Sequence, residues 1–164
     1  MQQTQLTTGE YLKALKVIHI GLTAGVVLFL IIAVVLQLTG FEPELKELEM
    51  ILLGVTAFAA ISGIFAGNMI FRKRLEQLIE LKNLNEKLTG YQSALIVKYA
   101  LIEGPAFFTV VAYLLTTNVL FPVIAVFLVV VMVLSAPRKD KLITDLNFST
   151  KETSVFENPD SVIQ

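Results

Sequence analysis

One carboxylate stands where hydrocarbon is expected. Glu103 lies well inside the apolar run 94–117, ALIVKYALIEGPAFFTVVAYLLTT. A charged side chain at membrane depth costs at least ~2.5 to 3.5 kcal/mol on insertion scales, so its retention points to a function. Two residues later Pro105, lacking a backbone N–H, leaves the carbonyl of Leu101 without its helical partner. In hydrocarbon an unpaired carboxyl is favoured in its protonated form. Glu103 therefore reads as a site for a proton or cation. Two other readings stay open: a protonated glutamic acid gluing helices together, donating to the freed carbonyl, and a contact for a lipid or small molecule.

The matching level on the preceding apolar run is 62–67, where Gly63 and Gly67 leave room for a carboxyl group. Thr23, Ser62 and Asn68 are candidate hydrogen-bond partners, and Tyr99, one turn earlier on the same face, is another. Lys98 is about 140° around the helix from Glu103 at 100° per residue, so it is expected to snorkel to the interface and not to pair with the acid. His19 is read as a neutral hydrogen-bonding imidazole or as a proton relay.

Composition narrows what else these residues could do. Of 164 residues, 55% are hydrophobic and 16% charged, and the mean hydropathy is +0.72, against roughly 25% charged residues in ordinary soluble domains. The chain lacks cysteine and has one histidine, which excludes disulfides, thiolate chemistry and Cys- or His-rich metal sites. No nucleophile with a base, metal set or phosphate loop can be assembled, so the expectation is a non-enzyme with no cofactor and no nucleic-acid partner.

The elements that must position Glu103 follow from charge and hydropathy. The expected fold is all-α, with membrane crossings at 14–38, 50–71, 94–117 and 119–136, each compatible with a ~30 Å hydrocarbon core. Thr7 and Glu10 have capping-box spacing before the first crossing, as do Ser149 and Glu152 near the C-terminus. Arg72, Lys73 and Arg74 close the second crossing, and Pro137, Arg138, Lys139 and Lys141 follow the fourth. Of the 13 Lys and Arg residues only Lys46 falls on the opposite side. By the positive-inside rule both termini are expected to be cytoplasmic, and the expected location is the cell's inner, cytoplasmic membrane. Residues 72–93 are expected to form a cytoplasmic helical hairpin extending the second and third crossings, turning at 83–85. The domain reading is a four-helix membrane unit, 1–137, followed by a polar cytoplasmic tail, 138–164. The tail is either disordered or surface-lying, or a docking segment.

Small residues recur at four-residue spacing: Gly21 and Gly25, then Ala59, Gly63 and Gly67, then Ala100 and Gly104. Such stripes allow close helix approach in lipid, within one chain or across a homo-oligomeric seam. Laying Tyr11 on Tyr91 aligns YLKALKVIHIGLTAG with YQSALIVKYALIEGP and sets Thr23 opposite Glu103.

The segment GVTAFAAISGIFAGNMIFRKR, followed after a polar loop by ALIEGPAFFTVVAYLL, covers about residues 54–117. It resembles the helical hairpin of the proteolipid c subunit of rotary ATP synthases. The resemblance implies that Glu103 is the carboxylate binding the transported proton or sodium ion, and that Gly63 and Gly67 form the small packing face. The family's Arg-Gln-Pro loop signature is absent, the polar hairpin is longer, and two further crossings flank it. The expected partners are the lipid bilayer and either copies of the chain or other membrane subunits, the alternative to ion binding being a non-catalytic accessory or scaffold subunit.

Overall fold

In the computed structural model the described residues are 7–41 and 45–163. The polar N-terminus before Thr7, residues 42–44 of the expected outer turn, and Gln164 lie outside them. The chain is all-α: α1 Thr8–Leu38, a 3-10 turn Lys46–Leu48, α2 Glu49–Ile79, α3 Leu84–Thr116, α4 Leu120–Leu134, α5 Lys139–Asp145 and α6 Thr150–Glu157. Among the described residues three helices are long and apolar enough to cross a membrane, or four if α4 and α5, bent by 76°, count as one span.

Both capping boxes form. Thr7 Oγ1 accepts from the Glu10 amide at 3.3 Å while the Glu10 carboxylate accepts from the Thr7 amide at 2.9 Å. Ser149 and Glu152 repeat the arrangement at the start of α6. α2 and α3 form one long helical hairpin joined by residues 80–83, with Asn83 capping α3 through the Glu86 amide. The turn falls slightly before the expected 83–85, because Asn83 serves α3 as its cap.

α3 is the hub. It packs most heavily on α2 and then on α4 and α1, whereas α1 and α2 scarcely meet. Joining these two helices requires the intervening segment to pass over the end of α3. There Gln37 Nε2 donates to the Leu114 carbonyl and the Leu45 amide to that of Leu115, both at 3.2 Å. These bonds satisfy carbonyls that the helix end would otherwise leave free. Asn118 then donates to Glu49, fastening the α3–α4 turn to the start of α2.

Two kinds of interior result. At mid-length Val26, Ala60, Ile102, Ala106, Leu128 and Met132 meet between the helices. Outside them, large apolar side chains such as Phe58, Ile61 and Phe65 are about 70% exposed, at 74%, 70% and 69%. At the hairpin end a separate core gathers Tyr11, Leu15, Phe71, Tyr91 and Leu95 with Leu142, Leu146, Phe156 and Ile163 from the C-terminal segment. Residues 139–163 are thus neither disordered nor surface-lying. They dock within the chain: the Gly9 amide donates to the Pro159 carbonyl and the Thr8 amide to that of Ser161, and Lys87 pairs with Glu152 at 2.9 Å. The physical reason is the apolar face of α5, α6 and Ile163, which is buried against Tyr11, Phe71 and Tyr91.

Candidate functional site: the Glu103 seam

α3 presents two opposite faces at the depth of Glu103. Toward α2 it turns Lys98, Leu101 and Pro105. A Cβ built on Gly67 would stand 3.2 Å from the Lys98 carbonyl, and one on Gly63 would meet the Leu101 carbonyl with no room at all. The carbonyl that Pro105 frees is therefore directed at Gly63. The two glycines let the backbones touch, as their spacing predicts, but what they admit is main chain and not a carboxyl group.

Glu103 lies about 200° around the helix from both Leu101 and Pro105, since each residue advances 100°. Its carboxylate accordingly faces α1. A methyl group on Gly25 would stand 4.0 Å from Glu103 Oε1 and 3.6 Å from Phe107 Cζ. One turn toward the hairpin end the His19 and Tyr99 rings lie 4.9 Å apart, and one turn the other way Phe29 and Phe107 lie 5.7 Å apart. These pairs run in the same direction along both helices, so α1 and α3 are parallel. The seam keeps an offset near that of the YLKALK/YQSALI alignment, and Thr23 does lie at the depth of Glu103.

None of the four anticipated partners hydrogen-bonds to Glu103. Thr23 Oγ1 donates to the His19 carbonyl at 2.9 Å, Ser62 Oγ to that of Ala59 at 3.2 Å, and Asn68 Nδ2 to that of Ile64 at 2.9 Å. Each falls back on its own helix, which offers an acceptor within one turn. Tyr99 donates across to the Ser135 carbonyl at 2.9 Å. Among the described residues no side chain bonds to the Glu103 carboxyl, which is half-buried beside Phe107. Nor does it reach the Leu101 carbonyl, which lies on the other side of α3.

Two further groups are buried. The Lys98 ammonium lies 5.0 Å from the centre of the Phe71 ring, beside the basic run that begins at Arg72. His19 is buried as well, and its Nδ1 has no partner among the described residues. Gly25 and Phe107, which lie beside Glu103 in this seam, were not anticipated as its neighbours, although the parallel register of the two aligned segments contained the signal. Among the described residues no group of three or more His, Cys, Asp or Glu side chains is placed to hold a metal ion. The seam thus offers a single carboxyl group in an apolar interhelical contact, with room kept by a glycine. No family model, no curated protein and no solved structure matches the chain.

Proposed function

We propose that this is a four-crossing protein of the cytoplasmic membrane, with both termini and the α2–α3 hairpin tip in the cytoplasm, in which Glu103 reversibly binds a proton or a cation. The topology is supported by the exposed apolar side chains along α1, α2 and α3 and by the basic residues at the hairpin end. The pairing of Thr7 with Val162 puts both described chain ends at that same end. α4, at 15 residues, is only about 22 Å long and completes its crossing with the residues that flank it.

The observation that carries the function is the Glu103 carboxyl itself. It sits midway along α3 beside Gly25 and Phe107, bonded by no hydroxyl or amide among the described residues, and an ionisable group retained there is expected to act. The contact of Gly63 and Gly67 with α3 accords with the resemblance to the proteolipid c-subunit hairpin. Dicyclohexylcarbodiimide labelling of intact membranes tests the reading. Modification should map to Glu103, rise as the pH falls, and vanish in Glu103→Gln. Unlabelled Glu103, or labelling indifferent to pH, would sink it.

A second reading, an accessory subunit of a larger membrane assembly, is favoured by the gap between α1 and α2. There α3 exposes Ala100 and Gly104, and no described residue of another helix lies within 4 Å of a Cβ built on Gly104. Since the chain lacks cysteine, Gly104→Cys provides a clean crosslinking probe. A crosslinked partner in native membranes supports this reading, and a monomer without adducts counts against it.

A further inference from the structure

α2 is longer than the helix beside it. α4 stops at Leu134 and the chain then swings through 76° into α5, leaving the outer side of α2 uncovered toward its basic end. A groove of about 840 Å³ opens there, lined by Ile61, Phe65 and Met69 of α2, by Phe127 of α4, and at its end by Arg72 and Lys73. From Ile61 to Arg72 the helix rises about 16 Å. That matches the ~15 Å depth of one leaflet's hydrocarbon. Ile61, Phe65 and Phe127 are all more than half exposed, at 70%, 69% and 56%, so the apolar part is left open by the described residues.

The polar end is cationic. Arg72 and Lys73 are exposed at the mouth of the groove. Two carboxylates lie in this region. Glu76 lines the groove, and Asp145 accepts from the Tyr91 hydroxyl at 3.1 Å. Neither pairs with these cations: among the described residues the one ion pair is Lys87 with Glu152. Asn68, at the boundary, spends its amide on Ile64.

We infer that this groove is a binding site for one anionic phospholipid of the cytoplasmic leaflet. Its phosphate would lie at Arg72 and Lys73 and one acyl chain along Ile61, Phe65 and Phe127. Charge complementarity and a depth of one leaflet select this occupant, since basic residues at the cytoplasmic surface attract anionic headgroups. The inference rests on the membrane topology proposed above and is independent of Glu103.

Native mass spectrometry of the full chain, released from micelles holding equal amounts of phosphatidylglycerol and phosphatidylcholine, tests it. One phosphatidylglycerol should be retained about tenfold or more over phosphatidylcholine. The variant R72Q/K73Q should lose that preference, R72K/K73R should keep it, and K13Q/K16Q, which removes basic charge at the same end of α1, should leave it unchanged. Equal retention of the two lipids, or loss of preference in K13Q/K16Q as large as in R72Q/K73Q, would overturn the proposal. Displacement of the lipid by excess inorganic phosphate would overturn it too, because the acyl groove would then add nothing. Carbonate extraction of membranes from the same cells separates the two ideas: a chain that stays in the pellet but shows no lipid preference refutes the site alone.

Discussion

Gly63 of α2 lies directly against the main-chain carbonyl of Leu101, the oxygen that Pro105 deprives of its helical donor. No Cβ fits between them, and the obstacle is backbone, which cannot rotate away. Gly63→Ala should therefore force α2 and α3 apart, at a cost of at least about 1–3 kcal/mol. Gly104→Ala, where the space is open, should be neutral, or stabilising by up to ~1 kcal/mol through helix propensity. Circular-dichroism unfolding curves in detergent micelles would order these variants.

Gly25 keeps the space in front of Glu103. A single methyl there meets only ordinary contacts at 3.6 Å and 4.0 Å, so Gly25→Ala should label with carbodiimide as the parent does. Gly25→Leu should displace the carboxyl or Phe107 and reduce labelling several-fold while the hairpin-end core stays folded. Equal labelling of the two variants would show that the carboxyl does not face α1.

The C-terminal segment is held by a pair that acid should break. Burial pushes the Glu152 carboxyl up, but the Lys87 ammonium and the Ser149 hydroxyl and amide outweigh it and hold it below the usual carboxylate range. A depressed folded value means that the stabilisation is complete above the ordinary value of about 4.3 and is lost as pH falls through the lower, folded one. Protection factors across α6, which allow for the intrinsic slowing of exchange in acid, should be high near neutrality and fall below that range. Glu152→Gln should remove the pH step and weaken docking by about 1–3 kcal/mol.

Thr117 closes α3 in the left-handed region, at φ 59°. A β-branched residue is strained there, by roughly 1–2 kcal/mol relative to glycine. Thr117→Gly should raise the unfolding midpoint, and Thr117→Val, which also loses the hydroxyl bonded to the Thr116 carbonyl, should not.

The helices were legible because hydropathy, the basic clusters and the two capping boxes all act locally. Gly63 and Gly67 were legible as packing residues for the same reason. What lies between helices was not, because four-residue spacing recurs on faces that pack and faces that do not: Gly21 and Gly104 have the same pattern as Gly63, yet a Cβ built on either would meet no other helix among the described residues.

The orientation of Glu103 was half available. Its depth followed from the alignment of the two tyrosine-led segments. Its facing did not, because small residues on α2 looked like room for the acid. Pro105 marks the carbonyl it frees but not the helix that carbonyl meets; only the packing shows Gly63 against Leu101, with Glu103 turned away from α2. The docking of residues 139–163 is a long-range contact between the two ends of the chain. The sequence showed its apolar residues but not where they would find cover.

The separation of α1 from α2 has a consequence for synthesis. The two helices emerge consecutively from the ribosome, N-terminal segments first, yet neither is the other's neighbour. Only α3 supplies a surface on which both pack. Assembly is therefore gated by the third long helix to be made, and a chain interrupted before it would leave two helices tethered by the chain but without a common packing partner.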